Sequence, residues 1–206
     1  MQIKTKWGLS IALMILLFTV LFWRWLHSPL PQYVGEKKLP SLQKKVDVYT
    51  DKFGVPHVFA ENEKDLFFSA GYIAARERLF QLSMVALAVK GELASVLGDS
   101  YLKTDIYLRT WRIRKVAVEL VRKMKPENKE IFESFCAGIN YWIKEAKKDL
   151  PLEFKILGME PSLWNPVIVA GYTRMMAHEM SGSWKPEIVF GAVLEYFGEE
   201  KTKCRR

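Results

Sequence analysis

The stretch Val46–Ala60, VDVYTDKFGVPHVFA, decides how this chain folds. Apolar residues alternate on either side of a polar turn that contains a glycine. Val46 to Thr50 therefore reads as one strand, Asp51 to Gly54 as the turn, and Pro56 to Ala60 as the returning strand of a hairpin. Period two then gives way to helical spacing. Asn62 is placed to cap a helix carrying Leu66, Phe67, Ala70, Ile73 and Ala74, and the pattern runs on through Leu79, Leu82, Val85, Ala86 and Val89 until Gly91 breaks it. A helix is expected over Ile106–Lys123, closing before Pro126, and another over Asn128–Lys148, stopped by Pro151. Pro161 to Pro166 reads as a loop carrying Trp164, with helix again over Val167–Glu179 and Glu187–Phe197. The fold class is α+β, a mostly helical body behind one hairpin, with little sheet of its own for those helices to cover.

Toward the N-terminus, Trp7–Trp23 reads WGLSIALMILLFTVLFW without a charge, after Lys4 and Lys6. At about 1.5 Å per residue this run rises about 25 Å. Extension to Leu26, with Arg24 snorkelling, approaches the roughly 30 Å hydrocarbon core of a bilayer. The residues that follow, Arg24 to Pro29, offer no small-x-small cleavage site, which favours an uncleaved anchor. The expectation is one transmembrane helix over residues 1–26 and a body outside the cytoplasm, most simply in a periplasm. Residues 27–45 hold Pro29, Pro31, Gly35 and Pro40 and read as a tether. The body occupies 46–198, and a charged tail 199–206.

With 206 residues, 50% apolar and 26% charged, the chain is excluded from the disordered, collagen-like and coiled-coil classes. Three basic and no acidic residues lie in positions 1–26, so the remainder holds 28 basic against 23 acidic residues of the net +8 chain. No basic stripe interleaved with aromatics stands out, so no nucleic-acid partner is expected, and the excess fits a solvated surface near an anionic membrane. Two cysteines, Cys136 and Cys204, are too few for a disulfide framework and are not spaced as a zinc site.

Chemistry-bearing motifs are sparse. The chain has no G-x-S-x-G, no H-E-x-x-H and no P-loop. His57 follows Pro56 in a strand and reads first as a hydrogen-bonded structural histidine, with proton transfer as the alternative. Cys136, in Phe135-Cys136-Ala137-Gly138, reads as packed core, and Cys204 as an incidental thiol in a cationic tail. Arg76-Glu77-Arg78 and the pair Asp105/Arg109 read as helix-surface charges. No catalytic residue emerges.

A resemblance carries the reading further. Asp51-Lys52-Phe53-Gly54-Val55-Pro56-His57-Val58-Phe59-Ala60 resembles the N-terminal hairpin of the penicillin acylase (penicillin amidase) family, a group of N-terminal-nucleophile (Ntn) hydrolases. Asp65-Leu66-Phe67, Gly71-Tyr72 and Ala75-Arg76-Glu77-Arg78-Leu79-Phe80-Gln81 follow in register. So do Gly91 to Ala94, Leu97-Gly98, Asp105, Arg109, Gly138-Ile139-Asn140, Pro151-Leu152-Glu153-Phe154, Gly158, Pro161 and Trp164. The likeness implies the α-chain portion of an Ntn-hydrolase αββα fold. Such precursors are exported and cut into a small α and a large β chain, whose new N-terminal serine attacks an amide carbonyl with its own α-amino group as base. Implied substrates are acylated amines, namely β-lactam side-chain amides or acyl-homoserine lactones.

The resemblance implies an α part alone, needing a separate β region for the nucleophile; a non-catalytic remnant or binding protein is the alternative. By position, Glu187 is similar to an α-chain glutamate that helps ligate calcium, with the remaining ligands due from the β chain. A helix-start glutamate beside Pro186 accounts for it equally well. Met176 and Met180 fall near acyl-pocket positions, Met180 the better placed and Met176 equally readable as core. Ala86, Leu87, Ser95 and Ile168 stand where the family commonly carries charges, each expected to remove a charge that would need a buried partner.

Overall fold

The hairpin forms where the alternation places it. The computed structural model describes residues 2–27 and 33–198, with the side chains of the first helix from Leu13 onward. Strands β1 (Asp47–Thr50) and β2 (Pro56–Phe59) pair antiparallel, with Val48 opposite Val58 and Tyr49 opposite His57. Asp51 closes the loop: its Oδ1 accepts hydrogen bonds from the amides of Phe53 (2.8 Å) and Val55 (2.9 Å), while Gly54 takes the left-handed φ of 80° that the turn demands.

Helix α1 (Gln2–His27) precedes the hairpin, and α2 (Glu63–Lys90) follows it. Asn62 caps α2 by accepting from the Asp65 amide at 2.8 Å, and its own side-chain amide donates to Asp65 Oδ2 at 2.7 Å. This is a reciprocal cap with Asn and Asp in place of Ser and Glu. Gly91 ends α2 at φ 69°. Then come α3 (Ala94–Leu97), a 3₁₀ turn at Asp99–Tyr101, α4 (Leu102–Thr110), α5 (Ile113–Arg122) and α6 (Pro126–Ala146). The chain continues through α7 (Leu152–Leu157), α8 (Pro166–Met180) and α9 (Trp184–Phe197).

The core sits where α2 lies along α6, and α5 packs against α8. Ala75 and Leu79 of α2 meet Ile139 and Ile143 of α6, with Phe154, Trp164 and Ile168 closing the cluster. At the crossing, a side chain on Gly71 would strike the Phe135 carbonyl, and one on Gly138 the Phe68 carbonyl. A second cluster joins Leu87, Ala88, Leu93, Leu108 and Ile113.

Several expectations are corrected. The helix expected over Ile106–Lys123 is two helices, broken at Trp111–Arg112, where Arg112 adopts φ 56°. The break lets Leu108 and Ile113, on either side of it, enter the same core cluster. Pro126 opens α6 rather than merely stopping its predecessor, since a first-turn proline lacks only an amide the helix does not use. The segment expected as an anchor is helical, yet among the described residues no helix is long and apolar enough to cross a membrane.

The described part of the tether is fastened rather than free. Lys37 Nζ donates to Glu145 Oε2 at 2.7 Å and to the Tyr72 hydroxyl at 3.0 Å. The amides of Gln43 and Lys44 donate to Asp65 at 3.0 and 2.8 Å. Burial alone would push the Asp65 carboxyl up, but these bonds and that from Asn62 outweigh it and hold it below the usual carboxylate range. The 199–206 tail, Cys204 included, lies outside the described residues.

Candidate functional site

Helix α8 begins with Asn165 accepting from the Ile168 amide and with Pro166 in its first turn. Its first half is buried through Ile168, Ala170 and Gly171, the last pressed against Val89. The second half emerges. Met176 is half-buried and Met180 is 80% exposed. Spaced i to i+4, the two thioethers share one face.

His178 points from a different side of α8. Its Nε2 lies 2.6 Å from the Tyr107 hydroxyl, and the Trp111 ring centroid stands 4.2 Å from the imidazole. Trp184, opening α9, is 6.3 Å from Trp111. Four rings from α4, the α4–α5 break, α8 and α9 thus hold the end of α8 that carries the methionines. Residue spacing gave no sign of this cluster, because its members are up to 77 positions apart.

Glu187 is exposed in the first turn of α9, beside the open apolar face formed by Pro186, Val189, Phe190 and Val193. Calcium takes six to eight oxygens. Glu187 offers two, and among the described residues no three His, Cys, Asp or Glu side chains converge on a metal position. This chain alone does not fit the ion. His57 is exposed and pairs with Asp51 at 3.3 Å, so it serves the hairpin. Cys136 is buried, which pushes its thiol up to about 12 and leaves it protonated.

Residues 45–204 match the family model described as Penicillin amidase. The chain belongs to the penicillin amidase family. It is 30% identical over 159 residues to penicillin acylase 2 proenzyme of Pseudomonas sp. (strain SE83), covering 77% of this chain and 20% of that protein. It is 30% identical over 154 residues to penicillin G acylase of Escherichia coli, covering 70% and 18%. It is 31% identical over 140 residues to the acyl-homoserine lactone acylase QuiP of Pseudomonas fluorescens (strain Pf0-1), covering 68% and 17%. The match thus spans about a fifth of the length of these curated relatives. The solved structure of a thermostable penicillin G acylase from Alcaligenes faecalis superposes with a TM-score of 0.62 at 25% identity, over 77% of this chain and 87% of that one.

The penicillin amidase signature residues turn out to build the scaffold. Buried Asp105 accepts from the amides of Leu93 (2.9 Å) and Ala94 (2.8 Å), and Arg109 Nε donates to the Gly91 carbonyl. Asn140 reads the Trp164 backbone at both ends, donating to its carbonyl and accepting from its amide, each at 2.8 Å. Of the departures, Ala86, Leu87 and Ile168 are buried, where a charge would need a partner. Ser95 is exposed and bonds the Glu92 carbonyl, so the same reasoning does not extend to it.

Proposed function

We propose that this chain is the α-chain portion of a penicillin-amidase-like hydrolase cleaving the amide of an N-acylated amine, and that it works with a β region supplying the nucleophile. The observation that carries this reading is α9. None of its fourteen residues is buried, and it presents Ile188, Val189, Phe190, Tyr196 and Phe197 to solvent. An apolar helix left open in a chain spanning a fifth of its relatives is a face made for more protein. The hairpin supports the same reading: two strands alone are marginal, and Tyr49, Phe53 and Phe59 stand 60–78% exposed.

In this reading Met176 and Met180 contribute to the acyl pocket, where adaptable thioethers suit an apolar acyl chain. The names of the relatives, penicillin acylases and acyl-homoserine lactone acylases, agree with that substrate class. Glu187, beside the open face of α9, gives one carboxylate to a calcium site completed by the β region. The assembled enzyme acts outside the cytoplasm, as the family resemblance implies.

The test is co-expression of the 206-residue chain with the β region of a relative, followed by an assay of amine release from penicillin G and an acyl-homoserine lactone. Hydrolysis by the pair and none by either part alone is expected. Turnover by the 206-residue chain alone would overturn the need for a β nucleophile; a stable but inactive complex would favour the binding-protein reading.

A further inference from the structure

The net charge of this protein is concentrated in one arm. Residues 101–125, from the 3₁₀ turn through α4 and α5 to the start of α6, carry eight Lys and Arg against two acids, and Asp105 is spent inside on the Leu93 and Ala94 amides. That leaves Glu119 to offset Lys103, Arg109, Arg112, Arg114, Lys115, Arg122, Lys123 and Lys125. Among the described residues none of these cations joins an ion pair, although seven pairs form elsewhere. The cations are dense in the sequence itself, with Arg114-Lys115 and Arg122-Lys123 adjacent, and folding decides which of them face outward.

Helix α5 shows how. Ile113 and Ala117 are buried on the side packed toward α8, at 3% and 0% exposure. Arg114, Val118 and Arg122 form the i, i+4, i+8 ridge on the outward side, with Lys115 next to it. Large apolar groups are exposed in the same arm: Leu102, Ile106 and Trp111 at 45–57%. Solvated lysine and arginine faces are ordinary. Eight cations against one exposed carboxylate, Glu119, set among exposed aliphatic and indole side chains, are the composition of a surface that rests in a lipid headgroup layer.

We propose that the α4–α5 arm docks this protein on an anionic membrane surface, Arg114, Lys115 and Arg122 meeting lipid phosphates. Charge complementarity is the main argument. The second is α1, whose Leu17, Phe18, Phe22 and Trp23 stand 51–70% exposed, so the chain carries both signals, apolar and cationic, that stable interfacial binding needs. The inference is independent of the proposed amidase partnership.

The experiment is vesicle co-sedimentation of the full 206-residue chain, comparing pure phosphatidylcholine with vesicles holding about 30% phosphatidylglycerol. The wild type should bind the anionic vesicles at least tenfold more tightly, with the preference falling as salt rises. The triple variant Arg114→Glu/Lys115→Glu/Arg122→Glu should lose about a hundredfold on anionic vesicles, at about fivefold per cation, and keep its binding to neutral ones. Lys144→Glu/Lys147→Glu/Lys148→Glu makes the same change in net charge on exposed positions of α6 and beyond, and it should retain the preference. Helical circular dichroism of both variants should match the wild type. Absence of an anionic preference would overturn the proposal, as would equal losses in the two triple variants. So would arm-dependent binding of a single-stranded oligonucleotide as tight as that of vesicles, which would assign the arm to nucleic acid.

Discussion

Gly71 of α2 and Gly138 of α6 hold reciprocal positions at the main helix crossing, the space of each missing side chain taken by a backbone carbonyl of the other helix, Phe135 for Gly71 and Phe68 for Gly138. Backbone cannot step aside as a side chain can, so the two helices would have to separate to admit a methyl group. Gly138→Ala should therefore destabilise the chain by about 3 kcal/mol or more, at the upper end of overpacking effects. For a protein of this size that lowers Tm by roughly 6–12 °C. Gly191, on α9, is the control: nothing lies within 4 Å of an added Cβ. Gly191→Ala should be neutral or stabilising by about 0.5–1 kcal/mol, since alanine is the better helix residue. Equal thermal shifts for the two variants would contradict the crossing geometry.

Asp65 joins three parts of the chain by accepting from the Gln43 and Lys44 amides and the Asn62 side chain. Asp65→Asn keeps the shape but turns a donor toward groups that are themselves donors, and should destabilise by about 1–3 kcal/mol at pH 7. The pH dependence follows from the direction of the shift. The folded carboxyl titrates below its unfolded value near 3.9, so its contribution is complete above about pH 5 and fades as pH falls through 4 and below. Urea midpoints for wild type and variant should be well separated at pH 7 and converge in acid. A separation that widened in acid would mean the carboxyl is held protonated.

Asn140 donates to the Trp164 carbonyl and accepts from its amide, which places the 161–165 loop and starts α8 at the right height. Asn140→Asp preserves the acceptor but sets a carboxylate against the carbonyl oxygen. A loss of about 1–3 kcal/mol is expected at neutral pH, partly recovered near pH 3, where a protonated carboxyl can donate again. Helical circular dichroism followed through urea unfolding at each pH measures the change. Identical behaviour of the variant at both pH values would remove the donor role assigned to Asn140.

The parts of this fold legible in the sequence were those decided within a few residues. The hairpin followed from alternation around Asp51–Gly54, the α2 boundaries from Asn62 and Gly91, and the start of α8 from the turn before Pro166. The break at Arg112 was not legible, because what drives it is the burial of Leu108 and Ile113, on either side of it, in one core cluster, and only the tertiary packing decides that. Pro126 misled for a local reason, a first-turn proline being as natural as a stop. In the candidate site, Met176 and Met180 were singled out by the family resemblance and not by any pattern of residues, and the rings around His178 were not legible at all, since four elements must first be packed together. Asp65 and Asp105 were not legible as buried carboxylates, since each sits among charged and polar neighbours, Glu63-Lys64 and Lys103-Thr104, and only packing turns it toward backbone amides.

Cys136 offers a prediction about reactivity. It lies in the α2–α6 core, 4% exposed, and burial together with the nearby Glu133 charge pushes its thiol up to about 12. The thiolate is the species that attacks an alkylating reagent, so at pH 8 about one part in ten thousand would be ionised even if the reagent could reach it. Iodoacetamide added to the native chain should leave the Cys136 peptide unmodified over hours, and addition after unfolding in urea should alkylate it within minutes. Peptide mapping by mass spectrometry separates it from Cys204. Cys136 sits one helical turn before Asn140 and two positions before Gly138, so the rate at which it becomes labelled at intermediate urea also measures the opening of the α2–α6 crossing. Gly138→Ala should raise that rate by roughly the factor its stability loss predicts, about a hundredfold for 3 kcal/mol. Rapid labelling of the native wild type would place Cys136 outside the core and contradict this packing.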